Sequence, residues 1–156
     1  MKLAKTTLRL SCEQDTAFLG QTLAKYTKAG DCILLRGQIG AGKSALARAF
    51  IRAILGPDTE VPSPTFTLVQ TYETDGIEIW HADLYRLSDA QEAVELGLTD
   101  AFEDQICLIE WPELLGDLVP STALDIELTV GRDFHHATLT YGENWSDRLA
   151  KGLHDA

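Results

Sequence analysis

The eight residues Gly37-Gln38-Ile39-Gly40-Ala41-Gly42-Lys43-Ser44 carry the spacing G-x-x-x-x-G-K-[ST] in full. Glycines at those places let the backbone turn its N–H groups inward at the start of a helix, whose dipole favours negative charge. Such a nest suits a di- or triphosphate. The spacing sets Lys43 against the terminal phosphates and the Ser44 hydroxyl on a magnesium ion. Magnesium held this way also needs a carboxylate from a neighbouring strand, and two acids end apolar runs. Glu110 follows Ile106-Cys107-Leu108-Ile109, and Asp83 follows Ile77–Ala82. Spacing alone leaves open which of the two touches metal and which positions water.

Other residues flank this set. Thr65, in Ser63-Pro64-Thr65-Phe66, stands where a switch loop follows a phosphate-loop helix, so its hydroxyl could sense a γ-phosphate; a rigid proline turn is the plainer alternative. Trp111, directly after Glu110, either covers the site, stacks on a partner or packs into the core. His81 reads as a structural histidine, and His135-His136 lacks metal-ligand spacing. Arg86 either pairs with Asp89 at the surface or contacts a phosphate or a partner.

These residues need a scaffold. The apolar run Cys32–Leu35, the glycine-rich segment and the Ala/Leu/Arg/Ile-rich stretch Ser44–Leu55 read as strand, loop and helix. An amphipathic helix is expected over 14–28, with Ser11 and Gln14 as a capping box and Gly30 as its stop. Gly56-Pro57 ends the next helix, and Val61-Pro62-Ser63-Pro64 reads as loop. Strands are expected over Thr65–Tyr72 and Ile77–Leu84, joined at Asp75-Gly76, a strong hairpin signal. Ser88 or Asp89 can cap a helix over Ala90–Leu96 closed by Gly97, with a further short helix over Thr99–Phe102. Ile106–Ile109, Asp125–Val130 and His136–Tyr141 read as strands, and Ser146–Leu153 as a polar terminal helix. The pattern is α/β: a mixed sheet, parallel at the nucleotide end with antiparallel additions.

Composition narrows the class. A chain of 156 residues suits a single domain over 1–156, and 45% hydrophobic with 24% charged residues argues against disorder. The balance of 13 Lys+Arg against 24 Asp+Glu, net charge -11, opposes the basic surface that autonomous nucleic-acid binding needs, so any RNA is expected to be held by another protein. Cys12, Cys32 and Cys107 are odd in number and lack C-x-x-C spacing, which suggests neither disulfides nor zinc; Cys32 and Cys107 read as core. No stretch approaches the roughly 20 apolar residues of a membrane span, and the N-terminus has no apolar leader core. A cytoplasmic protein is expected.

Four blocks together carry a resemblance: Gly37–Ser44, then Ser63-Pro64-Thr65-Phe66-Thr67-Leu68-Val69, His81-Ala82-Asp83-Leu84-Tyr85-Arg86-Leu87, and Cys107-Leu108-Ile109-Glu110-Trp111-Pro112-Glu113. In this order and in so small a chain they resemble the bacterial TsaE family, formerly YjeE, from about Ser11 to Arg132. The resemblance implies a single-domain P-loop NTPase fold that binds and hydrolyses ATP with Mg2+. It also implies action with TsaB and TsaD in making threonylcarbamoyladenosine beside the tRNA anticodon, where ATP turnover permits repeated cycles. By position, Gln38–Ser44 hold the phosphates, Ser44 and Glu110 ligate magnesium, and Asp83 and Trp111 serve hydrolysis. Glu13 falls near the adenine and Arg132 on the nucleotide.

The chain departs from the family pattern at Gln38, usually Asp, at Ser44, usually Thr, and at Ala45, often Thr. Serine keeps the hydroxyl that magnesium needs. Two other functions fit a P-loop: a small-molecule kinase, and a nucleotide-dependent binding module in which hydrolysis is incidental. The kinase reading expects an arginine-rich lid, yet Arg86 is the one arginine between Gly56 and Ile106.

Overall fold

The computed structural model describes residues 3–154. Among these, seven strands form one sheet in the order β1-β7-β6-β2-β5-β4-β3. The strands are β1 (Ala4–Leu10), β2 (Cys32–Arg36), β3 (Val69–Thr74), β4 (Ile77–Asp83), β5 (Ile106–Glu110), β6 (Leu124–Thr129) and β7 (His135–Tyr141). The four central strands are parallel: β2 pairs with both β5 and β6, and β4 pairs with β5. Antiparallel pairing adds β7 and β1 on one side and β3 on the other. Parallel strands covered on both faces read as continuous apolar runs, which is why Cys32–Leu35 and Ile106–Ile109 were visible as strands.

Five helices and one 3-10 stretch cover the sheet: α1 (Glu13–Tyr26), α2 (Lys43–Leu55), α3 (Gln91–Glu95), α4 (Leu98–Asp104), α5 (Glu143–His154) and the 3-10 turn at Pro112–Leu118. The face carrying Ile33, Leu35, Ile79 and Leu108 is buried with Leu46 and Phe50 of α2, Leu19 and Leu23 of α1, and Trp145 of α5. The opposite face, with Cys32, Leu34, Cys107 and Ile109, packs on Ala93, Leu98, Ala101 and Leu115. Helices α1 and α2 touch so closely at Gly20 that an added Cβ would sit 2.7 Å from the Leu46 carbonyl oxygen. The last helix is fastened by Arg148, whose Nη1 donates to Asp31 Oδ2 at 2.5 Å and to the Tyr26 carbonyl at 3.0 Å.

Several local expectations change. The N-terminal stretch is a strand, β1, zipped antiparallel to β7 with Ala4 opposite Tyr141. Its polar alternation hid it, because at an edge only Leu10 is fully buried. The strand expected from Thr65 starts at Val69, since the Leu68 N–H donates to the Pro64 carbonyl at 2.7 Å and closes a turn first. Ser11 and Gln14 form no capping box at α1: the Ser11 backbone N–H donates to Asp15 Oδ2 at 2.7 Å, and the helix ends at Tyr26, before Gly30. The terminal helix begins at Glu143 and is amphipathic, burying Trp145 and Leu149. Asp75 (φ 46°) and Gly76 (φ 83°) make the expected hairpin, both residues left-handed as a two-residue turn of that hand requires. Cys32 and Cys107 are buried free thiols and Cys12 is exposed. No helix among the described residues is long and apolar enough to cross a membrane.

Candidate nucleotide-binding site

Because β2, β4 and β5 are parallel, their carboxyl ends share one edge of the sheet, where open α/β sheets form ligand crevices. From β2 the chain enters the Gly37–Gly42 loop and then α2, whose first residue is Lys43. Two glycines are demanded there. A Cβ on Gly37 would lie 2.6 Å from the Leu128 carbonyl oxygen, and Gly42 precedes the helix at φ 107°. Lys43 folds back across the loop: its Nζ donates to the Gly37 carbonyl and lies 3.7 Å from the centroid of the Trp111 ring. Burial pushes the Lys43 ammonium below its ordinary pKa, while Glu110, Glu113 and Asp83 pull it up.

Asp83 and Glu110 end β4 and β5 as register partners. Ser44 Oγ donates to Glu110 Oε1 at 3.1 Å and to Oε2 at 3.3 Å. Thr65 Oγ1 donates to Asp83 Oδ2 at 3.2 Å, and the Tyr85 backbone N–H donates to Oδ1 at 3.1 Å. Lys43, Ser44, Thr65, Asp83, Glu110 and Trp111 all line one cleft of about 440 Å³, together with Ile39, Gly40 and Gly42. Lys43 is the cation among the lining residues, against two carboxylates. Cis oxygen ligands of an octahedral magnesium lie about 3 Å apart, so the Ser44–Glu110 separation suits one shared ion. The donors are hard oxygens, the kind magnesium takes. The residues therefore fit a magnesium-bound polyphosphate.

The remaining sequence candidates spread around this cleft. Ala41 is buried beneath the loop, whereas Ile39 is 77% exposed at the mouth. Gln38 is exposed and lines a neighbouring depression with Arg36, Trp111 and Glu113. Glu13, at the start of α1, borders an adjoining recess shared with Gly40, Ala41, Gly42 and Phe134. Arg132 is exposed in the β6–β7 turn, next to Asp133, which lines that recess. Arg86 does not pair with Asp89. Its guanidinium lies 5.5 Å from the Phe66 ring centroid, and Asp89 Oδ1 instead accepts the Glu92 N–H at 3.3 Å, at the start of α3.

One residue that the sequence did not single out, Tyr85, and one that it read as structural, His81, stand at the site. Tyr85 lines the cleft and packs on Trp111 with ring centroids 4.9 Å apart. His81 sits behind it, its Nε2 2.6 Å from Glu110 Oε2, both side chains buried. The signal was the alternation of β4: His81 and Asp83 are two apart and share a face.

A family model described as threonylcarbamoyl adenosine biosynthesis protein TsaE matches residues 10–137. The tRNA threonylcarbamoyladenosine biosynthesis protein TsaE of Rickettsia felis is 40% identical over 123 residues, 79% of this chain and 72% of that one. Its Bacillus subtilis namesake is 34% identical over 142 residues, 90% of this chain and 88% of that one. The crystal structure of Bacillus subtilis YdiB superposes with a TM-score of 0.81 at 26% identity, covering 100% of this chain and 99% of the other. A match over most of the chain, with relatives at this identity, means that the protein belongs to the TsaE family of threonylcarbamoyl adenosine biosynthesis proteins.

Proposed function

We propose that this chain is a Mg2+-dependent ATPase with a P-loop NTPase fold that acts in the cytoplasm. It supports threonylcarbamoyladenosine formation on tRNA together with TsaB and TsaD, which hold the RNA. The observation carrying this reading is that Lys43, Ser44, Asp83 and Glu110, from three separate elements, meet in one cleft at the end of a glycine loop.

The loop amides and the start of α2 bind the phosphates, and Lys43 exchanges its Gly37 contact for a phosphate oxygen. Ser44 and Glu110 hold the metal. Bound magnesium supplies charge stabilisation on the transferred phosphoryl group. Asp83 accepts from Thr65 and the Tyr85 amide, and its carboxylate is the acceptor that orients the attacking water in this reading. Trp111 and Tyr85 pack together along one wall of the cleft. Among the described residues Lys43 is the one cation lining the cleft, so the isolated chain turns over slowly, short of an arginine that is worth about 10³ to 10⁵ in rate elsewhere. The net charge of -11 repels tRNA and suits docking on a basic face of a partner protein.

The test is phosphate release from ATP by the purified chain, alone and with TsaB–TsaD, beside Lys43→Ala. Stimulation by the partners and loss of nucleotide binding in the variant are expected. Normal ATP affinity in Lys43→Ala would overturn the site. Complementation by a hydrolysis-dead, binding-competent variant would favour the binding-module reading.

A further inference from the structure

We propose that His81 is the positioning residue that aims the Glu110 carboxylate at the metal, acting through the hydrogen bond from its Nε2 to Glu110 Oε2. The proposal rests on the reading of Ser44 and Glu110 as magnesium ligands given above.

Glu110 is 2% exposed and His81 1% exposed, so the carboxylate is held chiefly by protein groups. Its side-chain partners in the structure are Ser44 from α2 and His81 from β4. These two partners differ in kind. When Ser44 and Glu110 ligate the same ion, the Ser44 hydroxyl oxygen turns to the metal and its bond to the carboxylate is given up. His81 is then the one protein donor of that pair still fixing the glutamate. The sheet makes it rigid, since His81 pairs in register with Leu108 and stands on the same face as Asp83, one step back along β4.

Packing alone does not explain a histidine here. Its Nδ1 is buried and finds no hydrogen-bond partner among the described residues, so an apolar side chain would fill the space without leaving a polar atom unpaired. The one polar link the ring makes is to Glu110. Groups that orient metal ligands from behind are commonly worth 10- to 100-fold in metal affinity.

The experiment measures equilibrium binding of a fluorescent ADP, first in EDTA and then across a Mg2+ titration, for wild type, His81→Leu, His81→Gln and His81→Asn. Glutamine can place an N–H close to where Nε2 lies, whereas asparagine falls short of it. His81→Leu and His81→Asn are expected to keep their EDTA affinity and to need roughly 10 to 100 times more Mg2+ for the same tightening. His81→Gln is expected within a few-fold of wild type. If His81→Leu fails to fold, the Asn and Gln pair decides. An unchanged Mg2+ requirement in His81→Asn overturns the proposal, as does His81→Gln behaving like His81→Asn, or a parallel loss of EDTA affinity. Lys43→Ala in the same assay reports on the site itself, so a failure there is separable from a failure at His81.

Discussion

Asp83 and Glu110 stand side by side as register partners at the ends of adjacent parallel strands, yet their carboxylates are held by different groups. Glu110 takes the Ser44 hydroxyl and His81, whereas Asp83 takes the Thr65 hydroxyl and the Tyr85 amide. Spacing left their roles open, the resemblance implied metal for Glu110 and hydrolysis for Asp83, and these separate partners support the same division in the proposed function. Glu110 is tied to Ser44, the residue after Lys43, and Asp83 to Thr65 in the loop after α2.

The two acids should therefore fail differently. Glu110→Gln should weaken Mg2+-dependent nucleotide binding at least about 10-fold, the scale on which even supporting groups act on a bound metal. Asp83→Asn should keep that binding and lose about 10² or more in turnover, the scale of a lost proton-transfer or water-orienting group. Isothermal titration with and without Mg2+, beside single-turnover phosphate release, separates these outcomes.

Trp111 covers the ammonium of Lys43 at 3.7 Å, in a left-handed backbone conformation (φ 59°) that is costly for a bulky residue. A cation held on an aromatic face is worth about 0.5 to 2 kcal/mol, modest beside a phosphate contact. Nucleotide should draw Lys43 away from the ring and change the fluorescence of the chain. The change should be missing in Trp111→Phe, because Trp80 and Trp145 do not line the cleft.

Phe66 is 84% exposed beside Thr65, at the lip of the cleft, with Arg86 over its ring. An aromatic residue in that position is suited to burial against another protein. Phe66→Ser should leave unstimulated ATP hydrolysis within about 2-fold and reduce stimulation by TsaB–TsaD several-fold. Phosphate release across a partner titration checks it.

Burial pushes the Cys107 thiol from 9.0 up to about 12, and the Cys32 thiol also rises. With the folded pKa above the unfolded one, the contribution of each thiol is complete below about pH 9. It is lost as pH climbs through the window from 9.0 to about 12 for Cys107. Midpoints of urea unfolding should fall across that window, and less steeply in Cys107→Ala. Alkylation at neutral pH should reach Cys12 in the native chain and the other two thiols only after denaturation.

What the sequence disclosed and what it concealed follow from the range of the forces involved. The Gly37–Ser44 loop, the strand before it and the helix after it are local features, and glycine spacing together with an apolar run marks them directly. The Asp75-Gly76 hairpin is local as well. By contrast, β1 exists because a partner strand more than a hundred residues away satisfies its amides, and nothing in Ala4–Leu10 by itself announces that. The turn that delays β3 depends on one bond between Pro64 and Leu68. At the site, residue types pointed to Lys43, Ser44, Asp83 and Glu110. The aim of His81 needed the register of two strands, and the cover over Lys43 needed the unusual backbone of Trp111.

The Thr6 hydroxyl meets the Tyr141 hydroxyl at 2.8 Å across 135 residues of sequence, at the seam where the first strand joins the last. In chain order Ala4–Leu10 precedes its partner strand β7 by more than a hundred residues, and every parallel strand of the sheet lies between them. Synthesis from the N-terminal side would therefore leave β1 unpaired until β7 has been made, so the pairing that seals this side of the sheet is a late, long-range contact.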